Sequence, residues 1–302
     1  MNLIKTSVLN GIAVLIKTAT MFILNKILAV YVGPAGYAAI GQFQNFIQMV
    51  TSFAGGAINT AVIKYTAEYY EDENKQRTVW KTAGSIVSIF SFIFTFLVLI
   101  FHQQLSLYIF KTVEYGSVFI WFAVFLIFFN LNALLLAILN GKKEILKLVI
   151  ANIAGSLFSL LVTSIMAVKY SLYGALVALS IYQSLNFMVT LFLCYRSSWF
   201  NWTYFYGKID ADVAKRFLAF ASMALVSAIC VPLSQMVIRS YLSHEYSAVY
   251  AGYWEAMIRL SAAYLMLVTT TLGIYYLPRL SELSNIQDIK KEIYLGYKLI
   301  FP

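Results

Sequence analysis

Charge is scarce in this sequence. Of 302 residues only 22 are lysine or arginine and 13 are aspartate or glutamate, a charged fraction of 12%. An ordinary soluble domain carries about twice that fraction. So few charges cannot clothe a soluble globule of this length, which excludes a soluble enzyme, a disordered tail and a collagen-like chain. Cysteine is equally sparse. Cys194 and Cys230 lie inside apolar runs, outside any CxxC or Cys/His cluster, so no disulfide framework or metal site is expected. His102 and His244 are isolated, and no phosphate loop or GxSxG is present. No cofactor, no nucleic-acid partner and no enzymatic chemistry are expected.

What the sequence has in abundance is apolar length. It is 61% hydrophobic and 17% aromatic, with a mean hydropathy of +0.76. The expected fold is an all-α polytopic membrane protein, because only helices and closed barrels satisfy their backbone in lipid. A spanning helix needs roughly 20 mostly apolar residues. Eight segments qualify, near 8–32, 36–66, 82–101, 118–139, 148–168, 174–194, 217–239 and 250–276. A ninth begins near 293 and reaches Pro302 after about half a span. The first segment contains two lysines and no small-residue cleavage site, so it reads as a retained span rather than a signal peptide.

Lysine and arginine set the expected orientation. Fifteen of them fall on the side shared by the N-terminus and alternate loops, including Lys75, Arg77, Lys142, Lys143, Arg216 and Arg279, against Lys111 and Lys169 opposite. The positive-inside rule then puts the N-terminus in the cytoplasm, with Trp80, Trp199, Trp202, Tyr204 and Tyr206 in the aromatic belt of that face.

The longest connection, 195–216, suggests two lobes. The expected division is an N-lobe over 1–196 with helices one to six, an interfacial linker over 197–214, and a C-lobe over 215–302 holding helices seven, eight and the start of nine. A short internal repeat agrees: AGY at 35–37 recurs at 251–253, and KYTAE at 64–68 recurs loosely as PRLSE at 278–282. Six-helix halves of this kind occur in transporters built from parallel repeats. On that pattern the second lobe is expected to be truncated.

Five cations, Lys17, Lys26, Lys64, Arg239 and Arg259, lie within the spans, against one clear acid, Glu255. A charge at mid-bilayer costs several kcal/mol unless it snorkels, finds a partner or faces a cavity, so the surplus suits a wet cavity that receives an anion. Lys64, with Glu68 four residues on, reads first as a snorkelling interfacial lysine, and Arg239, at its helix end, reads equally as a snorkelling or a cavity residue. Lys26 lies roughly 9 Å from its helix end, within reach of headgroups. Lys17 and Arg259 are too deep for that and are the stronger cavity candidates. Glu255 precedes Arg259 by one turn, in the favourable acid-first order for an ion pair. Lys17 and Lys26, nine residues apart, project to opposite faces of a straight helix, and Asn10 shares the face of Lys17.

Helix two carries a polar stripe, Gly41, Asn45, Gln48, Ser52, Gly55 and Asn59, at steps of four and three. It reads either as a lumen lining or as helix packing through small residues and amides. Asn130, Asn152, Gln183, Asn186 and Gln235 are further amides inside spans, and Pro232 marks a kink in helix seven.

The segments KILAVYVGPAGYAAIGQFQNFIQMV (26–50), INTAVIKYTAEY (58–69), YWEAMIRLSAAYL (253–265) and YYLPRLSELSNIQDIKKE (275–292) resemble the Wzx-type lipid-linked oligosaccharide flippases, the lipid III and O-antigen translocases among them. The resemblance runs the length of the chain. It implies a twelve-helix, two-lobe fold of the multidrug/oligosaccharidyl-lipid/polysaccharide exporter superfamily in the bacterial inner membrane. It also implies a monomeric carrier that moves an undecaprenyl-diphosphate-linked oligosaccharide to the periplasmic leaflet, beside other glycan-assembly membrane proteins. In such a carrier Lys17, Lys26 and Lys64 match family lysines of the diphosphate cavity, and Arg239 and Arg259 join that set. Ala262 departs from an acidic family position, which counts against ion coupling there. A multidrug or cation antiporter, a membrane-embedded glycan enzyme and an inactive fragment remain the alternatives.

Overall fold

A computed structural model describes residues 3–271 together with Gln287, Ile293 and Tyr294. The rest of the expected ninth span, the end of the eighth and the PRLSE segment lie outside the described residues. The described chain is helical without strands: α1 (Leu3–Phe53), α2 (Asn59–Glu68), α3 (Glu73–Ile100), α4 (His102–Phe110), α5 (Gly116–Gly141), α6 (Ile145–Tyr195), α7 (Ala211–Glu245) and α8 (Ala248–Thr271). Five of these, α1, α3, α5, α6 and α7, are long and apolar enough to cross a bilayer. Large apolar side chains such as Phe92, Phe96, Leu161 and Met223 point outward, a surface that water would not tolerate and lipid accepts. The chain is a multi-pass membrane protein.

α1 and α6 each hold two spans. α1 breaks at Gly33, whose φ of 74° precedes Pro34. A left-handed glycine followed by a residue without an N–H ends one helical arm and starts the next. α6 breaks at Tyr170 and Ser171 (φ 47°). Both breaks fall where the apolar segments divide. Side-chain caps mark other starts: Asp72 accepts from the Lys75 N–H at the head of α3, and Asp210 from the Asp212 and Val213 N–H groups at the head of α7. Those contacts hold the exposed Asp72 carboxyl below its usual range, the Lys75 backbone N–H first among the causes.

The second span differs from its sequence reading as one continuous helix over 36–66. α1 ends at Phe53, and a 3-10 turn over Gly56–Ile58 separates it from α2. Gly55 sits at φ 133°, a conformation closed to side-chain-bearing residues. A Cβ there would also press into Val87 of α3. The polar stripe is therefore interrupted: Gly55 and Asn59 leave the helical register that Gly41, Asn45, Gln48 and Ser52 share. The short α4 lies between two of the apolar segments, where the sequence carries no spanning run. Its end is held by Ser106 Oγ, which donates to the Thr112 carbonyl at 2.7 Å.

α5 is the axis of the bundle, with Phe119, Phe122, Leu126, Leu134 and Ile138 fully buried. Two apolar cores stack along it. One joins α5 to the second arm of α1 and the break in α6; the other joins it to α2, α3 and the start of α7. The connection from α6 to α7 lies on α3, where Ser85 Oγ donates to the Gly207 carbonyl at 3.0 Å and the Asp210 N–H donates to Thr82 Oγ1 at 3.1 Å. Gly84 is the floor of that seat, since a Cβ there would strike the Phe205 carbonyl. Gly84→Ala is expected to lift the connection and cost about 1–3 kcal/mol, read as a lower thermal midpoint in detergent.

Candidate functional site

A cavity of about 480 Å³ lies between the first arm of α1, α5, both arms of α6 and α8, which contributes Met266. Lys17 reaches it from α1. Asn152 and Ser156 face it from the first arm of α6, Gln183 and Asn186 from the second, and no carboxylate is among its described lining residues. Gly155 lets the α6 arms close up, because a Cβ there would press on the Asn186 amide. Asn132 Nδ2 donates to Gln183 Oε1 at 3.0 Å and fixes that amide. The Asn186 Oδ1 is buried with no hydrogen-bond partner among the described residues. Among the described residues the polar part of the wall thus combines Lys17 with amide and hydroxyl groups, a set that suits an anion carrying sugar hydroxyls.

A second polar centre joins α7 and α8 to both arms of α1. Glu255 is buried in α8, and its Oε2 accepts from Arg239 Nη1 of α7. Its Oε1 accepts from Arg259 Nε at 2.6 Å, one turn along α8. Arg259 continues outward. Its Nη2 donates to Gln44 Oε1, its Nη1 to Asn25 Oδ1 at 3.4 Å, and its guanidinium lies 4.7 Å from the centre of the Tyr37 ring. Tyr37 closes the loop by donating to Asn25 Oδ1 at 2.9 Å. Gly41 makes the approach possible, since any Cβ there would collide with the Glu255 carboxylate and the Arg239 guanidinium. The repeated AGY segments meet at the same seam: Gly252 packs against the Pro34 carbonyl with no room for a Cβ.

The five cations are therefore distributed. Lys17 and Lys26 are both exposed on the first arm, and of the two only Lys17 lines the cavity. The break in α1 falls beyond Lys26, so nothing bends the helix between them. Lys64 is exposed, its Nζ about 5 Å from the ring centres of Tyr65 and Phe220. Arg239 does not snorkel: it is 3% exposed and tied to Glu255. Arg259 pairs with Glu255 as its spacing suggests, and belongs to the α7–α8 seam rather than to the cavity wall. The side chain of Asn10 lies outside the described residues.

The stripe residues take other places. Asn45 Nδ2 donates to the Pro232 carbonyl at 3.2 Å, tying the second arm of α1 to α7 beside its internal proline. Ser52 Oγ donates to the Gln48 carbonyl of its own helix, Gln48 is exposed, and Asn59 Oδ1 is buried without a partner among the described residues. None of the four is on the cavity wall. The polar wall comes instead from α6, where Asn152, Ser156 and Ser159 at steps of four and three were a readable signal. Gln44, Asn25 and Tyr37 had no such signal, because their common partner Arg259 is more than 200 residues away.

Over residues 3–284 the sequence matches the family described as polysaccharide biosynthesis protein. Lipid III flippase of Escherichia coli (strain K12) is 26% identical over 302 residues, covering 100% of this chain and 73% of the flippase. The protein of that name from Shigella flexneri gives the same figures. Among solved structures, a ligand complex of the MATE multidrug transporter DinF-BH matches with a TM-score of 0.72 at 18% identity, over 98% of this chain and 69% of the transporter. A chain named protein A matches with a TM-score of 0.71 at 14% identity, over 90% of this chain and 63% of its own. At these identities the structural likeness shows the fold alone, an all-α polytopic architecture. The chain spans 63–73% of the length of these relatives.

Proposed function

The chain belongs to the polysaccharide biosynthesis protein family, and from that premise we propose that it is a flippase for a lipid-linked oligosaccharide. Its substrate is an undecaprenyl-diphosphate-linked repeat unit of the O-antigen or enterobacterial-common-antigen type. The observation that carries this reading is the cavity that holds Lys17 among amides and hydroxyls, with no carboxylate among its described lining residues. A diphosphate finds its counter-charge at Lys17, and sugar hydroxyls exchange hydrogen bonds with Asn152, Gln183 and Asn186 while the polyprenyl tail stays in lipid. Each cation–phosphate contact is charge-assisted, and so roughly twice as strong as a neutral hydrogen bond.

In this reading the N-terminus faces the cytoplasm of a bacterial inner membrane, residues 1–196 form one lobe, and the helices from 215 begin the second, joined by 197–214. Rocking of the lobes gives access alternately from the two sides. Lys64 and Lys26, both exposed, attract the diphosphate on its way, and Arg239 with Arg259 forms the second cationic station. Asn45, Gln48, Ser52 and Asn59 meet the passing glycan as the lobes move. No bond is made or broken, and no coupling ion is assigned. A strain deleted for this gene is expected to lose its surface glycan, accumulate lipid-linked repeat unit in the cytoplasmic leaflet and keep its drug resistance. Drug hypersensitivity with intact surface glycan would instead identify a multidrug exporter.

A further inference from the structure

Glu255 is the only buried carboxylate among the described residues, and two guanidiniums share it. Through Arg239 it holds α7, and through Arg259 it reaches Gln44 and Asn25 on the two arms of α1. Gln42 Nε2 donates to the Met236 carbonyl at 3.1 Å beside it. One carboxylate therefore ties four helical arms at the end of the bundle where α1 breaks and α7 turns into α8. The ledger of charge is incomplete, since the buried Arg239 and the part-buried Arg259 face one anion. Arg239 Nε and Nη2 are buried without a partner among the described residues. Those two atoms form the side-on edge of a guanidinium, the edge that takes an oxyanion with two parallel hydrogen bonds.

We propose that Glu255 is an internal counter-ion. It occupies Arg239 and Arg259 and keeps this end of the lobe seam shut until a phosphate-class anion takes its place. Such an anion brings more oxygens and more charge than one carboxylate, so it can satisfy both guanidiniums at once, including the unpartnered edge of Arg239. Glu255 is then freed, and the tie between α8, α7 and α1 is released. This rests on the flippase reading for the identity of the anion as the substrate's diphosphate. It adds a positioning residue: Glu255 never contacts the substrate favourably, and acts by deciding when the two arginines are available. The local packing fits that role. Gly41 leaves just enough space for the carboxylate, so the tie depends on shape as well as on charge.

The test is the labelling rate of a cysteine buried at the seam. Ala251, one turn before Glu255 and 1% exposed, is replaced in a chain carrying Cys194→Ala and Cys230→Ser. The Ala251→Cys protein is placed in phosphatidylcholine nanodiscs and exposed to a soluble maleimide. Glu255→Gln is expected to raise the labelling rate at least tenfold. Gly41→Ala, which keeps every charge and only crowds the carboxylate out, is expected to do the same, so the test survives if one variant fails to fold. Glu255→Asp is expected to keep labelling slow, which a merely space-filling role for Glu255 would not require.

Polyprenyl diphosphate is expected to accelerate labelling severalfold when Glu255 is present and to add nothing in Glu255→Gln, while polyprenyl alcohol has no effect in either. Inorganic pyrophosphate separates the sources: acceleration by it supports exchange with free phosphate chemistry, and acceleration by the polyprenyl form alone supports exchange with a lipid-borne headgroup. Labelling of Glu255→Gln and Gly41→Ala at the parent rate, or equal acceleration by diphosphate with and without Glu255, would overturn the proposal. Labelling requires no transport, so the two readings fail separately. Translocation with an unmoved seam removes the counter-ion alone, and a diphosphate-opened seam in a protein that moves no glycan removes the flippase reading alone.

Discussion

Lys17→Ala is expected to slow glycan translocation by on the order of tenfold to a hundredfold with no loss of thermal stability. The range follows from a charge-assisted contact worth about 1.5–3 kcal/mol and about 1.4 kcal/mol per decade. The direction follows from the cavity wall: Lys17 faces amides and hydroxyls with no carboxylate among the described lining residues, so its removal strands no buried partner among them. Lys17→Arg is expected to retain most of the rate, because a guanidinium supplies the same charge to a phosphate. Lys26→Ala, on the opposite face of the same arm, is expected to have a smaller effect. Initial rates with a fluorescent lipid-linked glycan check all three, and equal rates for Lys17→Ala and the parent would remove Lys17 from the mechanism.

Glu255→Ala should fail in a different way. It strips the shared carboxylate from Arg239 and Arg259 and leaves two like charges close together in a buried seam. Breaking a buried pair from one side costs about 3–5 kcal/mol, much of it the penalty of the stranded partner. For a chain of this length that corresponds to a thermal midpoint lower by on the order of 10 °C. Adding Arg239→Met is expected to recover part of the loss by removing one stranded cation, even though a second group has been deleted. Thermal unfolding of the parent, the single variant and the double variant in one detergent measures this. A shift smaller than about 2 °C for Glu255→Ala would show that the pair does not hold the seam.

Much of the fold was legible because lipid imposes a simple length rule. The apolar runs, the Gly33–Pro34 boundary and the division of α6 near Tyr170 were all readable in one dimension. The Gly55 break was not. A Gly-Gly pair in an apolar helix reads as a packing surface, and what makes it a break is Val87 arriving from α3. The site divides in the same way. The Glu255–Arg259 pair follows from one-turn spacing, whereas the Arg239–Glu255 pair crosses a helical hairpin and no local rule pairs residues 16 apart. The stripe over 41–59 drew attention because its members share a helical face at regular steps, yet Asn45 serves the Pro232 carbonyl and the cavity takes its amides from α6. Periodicity identifies which residues share a face; only the packing of neighbouring arms decides what that face meets.

The central claim is translocation itself, and reconstitution measures it most directly. The purified chain is inserted into liposomes carrying a fluorescent undecaprenyl-diphosphate-linked oligosaccharide in both leaflets, and a membrane-impermeant quencher reports the fraction reaching the outer leaflet. The account predicts that the inner-leaflet pool becomes quenchable with the parent chain and does so at least tenfold more slowly with Lys17→Ala. An inner pool that stays protected in both, from protein shown to be folded and inserted, would contradict it.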